Sequence, residues 1–146
     1  RAMRSFILIC NPVDVWDFRA FFASTSSEGY WCVSKVNFKL GEPGDRLYLR
    51  VTSKDIEPGI HGRFVLTRKV KTSVPSAHWR LGRVPKSPCE QFIFDIPYPG
   101  LLRHRLPVSV LKEIFPATSR IVRTPQALSS LILEEEADKL DDLIYC

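Results

Sequence analysis

Aromatic rings interleaved with cations are the side chains in this sequence best suited to chemistry. The aromatic members are Trp16, Trp31, Trp79, Tyr30, Tyr48 and Tyr98, and the cations are Arg46, Arg50, Arg80, Arg83 and Lys86. Aromatic rings stack on bases while Arg and Lys hold phosphates, so this combination indicates recognition of an exposed or flipped nucleobase. Two or three aromatic walls would suit a methylated base, because a methyl group in a dry pocket contributes roughly 0.8 kcal/mol.

The alternative for each tryptophan is a place in the hydrophobic core, which is the commoner location for this residue type. On that interpretation the chain would be a protein-interaction or structural domain. Trp79 favours the binding interpretation, because it lies in the basic, proline-bounded segment 71–88 and not in an apolar run. The sequence leaves both interpretations open.

Catalytic patterns are missing from the sequence. It has no G-x-S-x-G, no P-loop and no glycine-rich dinucleotide fingerprint. Asp17, Asp45 and Asp95 are isolated carboxylates, which is more typical of turns and helix caps than of acid–base chemistry. We therefore expect no enzymatic activity in these residues and no cofactor.

The four cysteines, at positions 10, 32, 89 and 146, form no C-x-x-C pair, and the three histidines do not fall at zinc-ligand spacing. Cys10 and Cys32 lie in apolar runs, where a free thiol behaves as a small hydrophobe. This pattern indicates reduced thiols in the cytoplasm and no metal site. The longest apolar run, Phe6 to Cys10, is too short to span a bilayer.

The charge is unevenly distributed along the chain. The net charge is +5, yet residues 134–142 hold six carboxylates and one lysine, so the rest of the chain carries +10. A basic body suits a polyanionic partner, although a solvated basic surface would give the same numbers.

Length and hydrophobic pattern predict one α+β domain over residues 1–146, which we expect to be taken from a larger protein with Met3 near its natural start. Strands are predicted at 4–10, 30–34, 46–51, 60–70 and 91–96, and helices at 14–23, 109–115 and 133–144. In the third strand Leu47, Leu49 and Val51 should face inward, with Arg46, Tyr48 and Arg50 outward. In the first helix, capped by Asp14, Trp16 should point away from the apolar stripe.

Four motifs in order resemble the EVE domain of the PUA-like superfamily, which is related to the YTH readers of methylated adenine in RNA. They are Asn11-Pro12 after the first strand, Trp31 in the second, Gly44-Asp45-Arg46-Leu47-Tyr48-Leu49, and Gly59-Ile60-His61-Gly62-Arg63-Phe64-Val65. Pro125-Gln126-Ala127-Leu128 and the segment 135–140 resemble the end of such modules. The resemblance covers most of the chain and implies a curled β-barrel with flanking helices.

The resemblance also implies a concave pocket for one modified base and a role for each matching residue. Trp31 would be the first cage wall and Trp79 the second, with Trp16, Tyr30 and Tyr98 as alternatives for a third. Asn11 would meet the base edge, Ser34 could add a hydroxyl, and Arg46, Arg50, Arg80, Arg83 and Lys86 would contact phosphates.

The function implied is that of a non-enzymatic reader of a modified base in DNA. Such domains serve as the specificity modules of modification-dependent restriction systems of McrB or EVE–HNH type, with a nuclease or motor domain as partner. A reader of modified RNA is the first alternative. Cys32-Val33-Ser34 departs from the small, hydroxylated residues typical of methyladenine-RNA readers, which argues against adenine.

Overall fold

The computed structural model describes residues 2–12, 15–23, 27–53, 56–74, 77–80, 82–85, 88–97 and 100–145. Its strands are β1 (Ser5–Cys10), β2 (Glu28–Cys32), β3 (Arg46–Val51), β4 (Gly59–Thr72), β5 (Cys89–Asp95), β6 (Leu106–Pro107) and β7 (Ser129–Ile132). Its helices are α1 (Phe18–Ala23), α2 (Lys35–Leu40), α3 (Val108–Ile114) and α4 (Glu134–Ile144). The α+β class expected from the sequence is confirmed.

The strands form one mixed sheet in the order β2-β5-β4-β3-β1-β7, with β6 paired to β4. β1 and β3 run parallel, and the other neighbours are antiparallel. The 14-residue strand β4 pairs with β3 through Gly59–Val65 and with β5 through Leu66–Thr72, so it joins the two halves of the sheet. Leu49 pairs with Gly62 and the next residue, Arg50, pairs with Ile60, so His61 is left out of the β3–β4 pairing. This is a β-bulge in β4 beside Gly62, where the sequence predicted a bend or bulge. Within the described residues β2 and β7 each have one neighbour, so the curled sheet is open.

Both faces of the sheet are covered by apolar clusters. On one face Phe6 and Leu8 of β1 join an aromatic-rich cluster that includes all three tryptophans. On the other face Ile7 and Tyr48 pack with helices α3 and α4. Successive side chains of a strand point to opposite faces, so β1 and β3 are buried throughout their central residues.

The burial of β3 corrects the expectation that Arg46, Tyr48 and Arg50 face outward. All six residues of β3 are buried, because helix α4 and the 119–122 turn cover the face that was expected to meet solvent. The alternation itself was right, but alternation shows which residues share a face and not what covers that face.

The first helix begins later than predicted. Asp17 accepts a hydrogen bond from the Ala20 amide (3.1 Å) and caps α1, whereas the expected cap, Asp14, lies outside the described residues. Trp16 precedes the helix and forms an antiparallel β-bridge with Trp79. The prediction placed Trp16 in the helix and off its apolar stripe; instead Trp16 lies before the helix and is buried, with 1% exposure.

Three short elements were not predicted: α2, β6 and β7. Ser34 caps helix α2 by accepting a hydrogen bond from the Asn37 amide (3.1 Å), and Ser129–Ile132 adds strand β7 beside β1. With six, two and four residues respectively, these elements are too short for their period to show in the sequence. No described helix is long and apolar enough to cross a bilayer.

Candidate functional site

Three tryptophans and a tyrosine meet in one aromatic cluster, formed by Trp16, Tyr30, Trp31 and Trp79. The rings of Trp31 and Trp79 are nearly parallel, with centroids 6.2 Å apart and an interplanar angle of 24°. Trp16 lies 5.0 Å from Trp31 and 6.0 Å from Trp79. The structure therefore brings together the three tryptophans that the sequence offered as cage walls.

Hydrogen bonds from distant parts of the chain fix these rings. The Trp31 Nε1 donates to the Leu128 carbonyl at 2.6 Å, and the Trp79 Nε1 donates to the Tyr30 hydroxyl at 2.8 Å. Burial raises the pKa of Tyr30, and the bond from Trp79 opposes that rise. The buried Trp16 Nε1 forms no well-aligned hydrogen bond with a described residue, but it too opposes the rise in the pKa of Tyr30.

The aromatic cluster is closed in this conformation. Trp16 and Trp31 are each 1% exposed and Trp79 is 9% exposed. A base stacked between two rings needs about 7 Å from ring to ring, two layers of about 3.5 Å. The centroids of Trp31 and Trp79 are 6.2 Å apart, both rings are buried, and Trp16 packs against both of them, so no base fits between the two rings. A base can stack here only if Trp16 moves.

An open cleft of about 470 Å³ adjoins the closed cluster. This volume lies within the range of small-ligand pockets. Its lining residues are Ile9, Asn11, Val15, Thr52, Arg83, Thr124, Pro125, Gln126, Ala127 and Leu128. The cleft and the cluster share a boundary, since Asn11 and Val15 precede Trp16 and the Leu128 carbonyl holds the Trp31 indole.

The segment 11–17 that carries Trp16 is attached to the segment around Trp79. The Asn11 carbonyl accepts from the amides of Val15 and Trp16, and the Arg80 amide donates to the Val15 carbonyl. The Arg80 guanidinium donates to the Pro12 carbonyl at 2.9 and 2.6 Å. Arg80 is thus a clamp on the backbone between the cleft and the cluster, in addition to being an exposed cation.

Arg83 is the predicted phosphate-binding residue that the structure places on the cleft. Arg83 is exposed, and its side chain makes no ion pair or hydrogen bond with any described residue. Lys86 lies outside the described residues, as does Tyr98.

Arg46 and Arg50 are not available to phosphates, which corrects their expected role. Arg46 is 4% exposed and pairs with Asp138 and Asp141 at 2.8 and 3.0 Å. Burial opposes the charge on Arg46, but these two carboxylates outweigh it and raise its pKa. Arg50, also 4% exposed, donates to the carbonyls of Ile121 and Val122, and burial lowers its pKa to about 10.

Ser34 also lies apart from the cleft. Its hydroxyl caps α2 on the surface, so the structure gives it a local role in helix formation. Sequence reasoning missed Thr52, Thr124 and Gln126 as cleft residues. The Pro125–Leu128 motif of the resemblance was the one signal that could have pointed to this wall.

The described residues contain no group of three or more His, Cys, Asp or Glu that could hold a metal ion. The site therefore consists of aromatic surfaces, a few polar groups and a cation. Such a set can stack on a flat ring, bond to its edge and contact an anion beside it.

The described residues form an open mixed sheet with a long bent strand and four packed helices, a fold that solved structures share. Human THYN1 protein in complex with DNA containing 5-methylcytosine has TM-score 0.65 and 13% identity, over 99% of each chain. The DUF55 domain of human thymocyte nuclear protein 1 has TM-score 0.62 and 12% identity, over 95% of this chain and 97% of that one.

A hypothetical protein from Leishmania major has TM-score 0.70 and 13% identity, over 99% of this chain and 96% of that one. No family model and no curated protein matches the sequence. At these identities the likeness is one of fold. It confirms the α+β, PUA-like kind of fold that the resemblance implied, with the sheet of the described residues open and not closed into a barrel.

Proposed function

We propose that this domain is a non-catalytic reader of DNA that carries a modified base. The observation that carries the proposal is the near-parallel pair Trp31–Trp79 beside a cleft that contains Asn11 and Arg83. A solved protein with the same fold, human THYN1, is bound to DNA containing 5-methylcytosine, which supports DNA as the partner.

In this proposal Arg83 and the basic surface around it capture the duplex through its phosphates, without reading sequence. The modified base leaves the helix and enters the cleft, which costs a few kcal/mol of unstacking. Stacking on an aromatic ring returns roughly 1–3 kcal/mol per base, so one ring barely offsets the extrusion and two rings do. Stacking on both Trp31 and Trp79 would therefore be needed to make extrusion of the base favourable.

Entry of the base requires Trp16 to give way. Trp31 and Trp79 must also move apart until their ring planes are roughly 7 Å from each other, the separation that an intercalated ring needs. Trp16 precedes α1 and packs against both Trp31 and Trp79, so its displacement is the step that would open the cluster. The Asn11 side chain then lies at the rim, where its amide can bond to the base edge.

We also propose that the domain is the specificity module of a modification-dependent restriction system, working with a nuclease or motor elsewhere in the same protein or in a partner. This part rests on the resemblance to EVE domains in the sequence. Its test is the survival of bacteriophage with modified and unmodified genomes in cells that express the full system.

A binding panel tests the reader proposal. Fluorescence anisotropy would compare duplexes that differ in one base, either unmodified or methylated cytosine, hydroxymethylcytosine or methyladenine. We expect tighter binding to one modified duplex and quenching of tryptophan fluorescence by that duplex. Equal affinity for all duplexes would refute modified-base recognition, and preference for the matching RNA would favour the RNA reader.

Variants separate base recognition from phosphate contact. Asn11→Ala should weaken binding to the modified duplex about fivefold, the equivalent of one hydrogen bond, with little effect on the unmodified duplex. Arg83→Ala should weaken binding to both and lower the slope of log affinity against log salt by about 0.9. Lys112→Ala is the matched control, because Lys112 is an exposed cation on α3, away from the cleft. An equal effect of both cation variants would refute the cleft as the binding site.

Trp31 is unsuitable as a first test residue. Its ring is 1% exposed, so Trp31→Ala would cost about 3–5 kcal/mol of stability and confuse unfolding with lost recognition. Trp16→Phe is preferable, because it keeps an aromatic ring and removes the indole nitrogen. We expect this variant to retain the fold and to alter affinity for the modified duplex.

A further inference from the structure

Cys32 and Cys89 bring their sulfur atoms to within 2.8 Å of each other. A disulfide bond is about 2.05 Å long, so closing it requires a movement of about 0.8 Å. Both thiols are free in the structure. The two residues are distant in sequence, and the sheet brings them together: Cys32 ends β2 and Cys89 begins β5.

The pairing of β2 with β5 keeps the two sulfurs close before any bond forms. Cys32 lies opposite Gln91 in the antiparallel register, and the Val33 amide donates to the Glu90 carbonyl at 2.9 Å. Strand β2 has no other strand neighbour among the described residues, and it carries Trp31 directly before Cys32. The cysteine pair is therefore located where the outer strand of the aromatic cluster joins the sheet.

We propose that Cys32 and Cys89 form a reversible modification site that closes to an intramolecular disulfide when a disulfide oxidant such as oxidised glutathione is present.

The reaction proceeds by two thiol–disulfide exchanges. Cys89 is half-buried and Cys32 is buried, so the oxidant reaches Cys89 first. The Cys89 thiolate attacks one sulfur of oxidised glutathione, forms a mixed disulfide and releases one glutathione thiolate. Cys32 then loses its proton to solvent, and its thiolate attacks the Cys89 sulfur and expels the second glutathione. The protein loses two electrons to the oxidant, which is reduced to two glutathione molecules.

Burial, followed by the neighbouring Cys89 thiol, raises the pKa of Cys32 in the reduced protein, which disfavours the Cys32 thiolate. Cys10 serves as an internal comparison. Its sulfur lies 3.5 Å from the Trp16 carbonyl in the core, and burial raises its pKa as well. It has no cysteine neighbour among the described residues, so it should stay reduced.

The disulfide would attach the outer strand β2 to β5 and close a loop that contains β3, β4 and Trp79. It should restrict the unfolded chain and raise the melting temperature by about 5–15 °C. It should also hold Trp31 more firmly, which would slow base entry. This last effect rests on the proposed function, whereas disulfide formation does not.

The test uses the full chain with Cys146→Ser, which leaves three cysteines. After incubation with oxidised glutathione and removal of the excess, thiols are titrated under denaturing conditions and tryptic peptides are mapped without reduction. We expect one titratable thiol, the loss of two hydrogen atoms from the intact mass, and a Cys32–Cys89 cross-linked peptide. Persistence of three thiols, or a cross-link that involves Cys10, would overturn the proposal.

Cys89→Ser in the same background is the matched control and should keep two thiols with an unchanged melting temperature after oxidation. Because the main measurement uses the parent protein, misfolding of this variant would not affect the outcome. DNA affinity is measured separately for the oxidised and reduced forms. Disulfide formation without any DNA binding would reject the proposed function and leave the modification site standing.

Discussion

Replacement of Asp141 by Asn should destabilise the protein by about 3 kcal/mol, because one carboxylate of helix α4 holds three groups of the sheet. Asp141 accepts from the Tyr48 hydroxyl at 2.6 Å, from Arg46 at 3.0 Å and from Arg63 at 3.1 and 3.2 Å. Breaking a buried ion pair costs about 3–5 kcal/mol, and the 20% exposure of the Asp141 side chain places the loss at the lower end.

Urea unfolding followed by tryptophan fluorescence measures this loss. With a slope near 2 kcal/mol per molar urea, the midpoint should fall by about 1.5 M. Asp142→Asn is the matched control, since it removes the same charge from the next, exposed residue of α4 and should change stability by less than about 0.5 kcal/mol. Equal effects of the two substitutions would refute the assignment of Asp141 as the anchor of α4.

The contacts of Asp141 also predict how the stability of the protein depends on pH. Burial alone would raise the pKa of Asp141, but the contacts with Arg63, Tyr48 and Arg46 outweigh it and lower the pKa below its ordinary value of 3.8. The ionised form is thus favoured by folding, so the stabilisation is present above pH 3.8 and is lost as pH falls through the folded-state pKa. The stability difference between the parent protein and Asp141→Asn should be constant near neutral pH and shrink in acid. A difference that grows on acidification would contradict this reasoning.

Three further predictions concern the Tyr30–Trp79 hydrogen bond, the close approach at Gly59 and the Arg80 clamp. Tyr30→Phe removes the acceptor of the buried Trp79 indole and should cost about 1–3 kcal/mol in urea unfolding; a loss below about 0.5 kcal/mol would show that this bond contributes little. Gly59→Ala should cost at least about 2 kcal/mol, because φ is +153° and the new methyl carbon would lie 2.0 Å from the Leu106 carbonyl oxygen. Gly44→Ala is its control, with φ of +98° but open space around it, and should cost about 1 kcal/mol; equal losses would exclude the steric contribution. Arg80→Ala removes two bonds to the Pro12 carbonyl and should speed amide exchange at Val15 and Trp16 about tenfold, without a comparable change at Phe64 in the sheet; uniform acceleration would indicate global destabilisation instead.

Several elements followed directly from the sequence because their signals are local. The apolar run of β1, the alternation in β3 and the stripe of Ala137 and Leu140 in α4 each match the observed element to within a few residues. The bulge beside Gly62 was also anticipated. The short elements α2, β6 and β7 were not, since so few residues carry too little periodicity to be recognised.

The candidate site was predicted in its residue types and less well in its geometry. Asn11 and Arg83 do line one cleft, and Trp16, Trp31 and Trp79 do meet. Arg46 and Arg50 looked the same as Arg83 in the sequence, yet both are buried. The difference comes from α4 and the 119–122 turn, which approach β3 from more than seventy residues away.

By itself the sequence determined the class of the fold, the motifs that resemble an EVE domain and the presence of aromatic rings among cations. These properties are local, because each depends on the order of neighbouring residues. The tertiary structure alone decided that the aromatic cluster is closed by Trp16, that Arg46 serves α4, and that Cys32 and Cys89 are in contact. Such facts depend on the distance between atoms far apart in sequence, which packing of the whole sheet sets and no local pattern records.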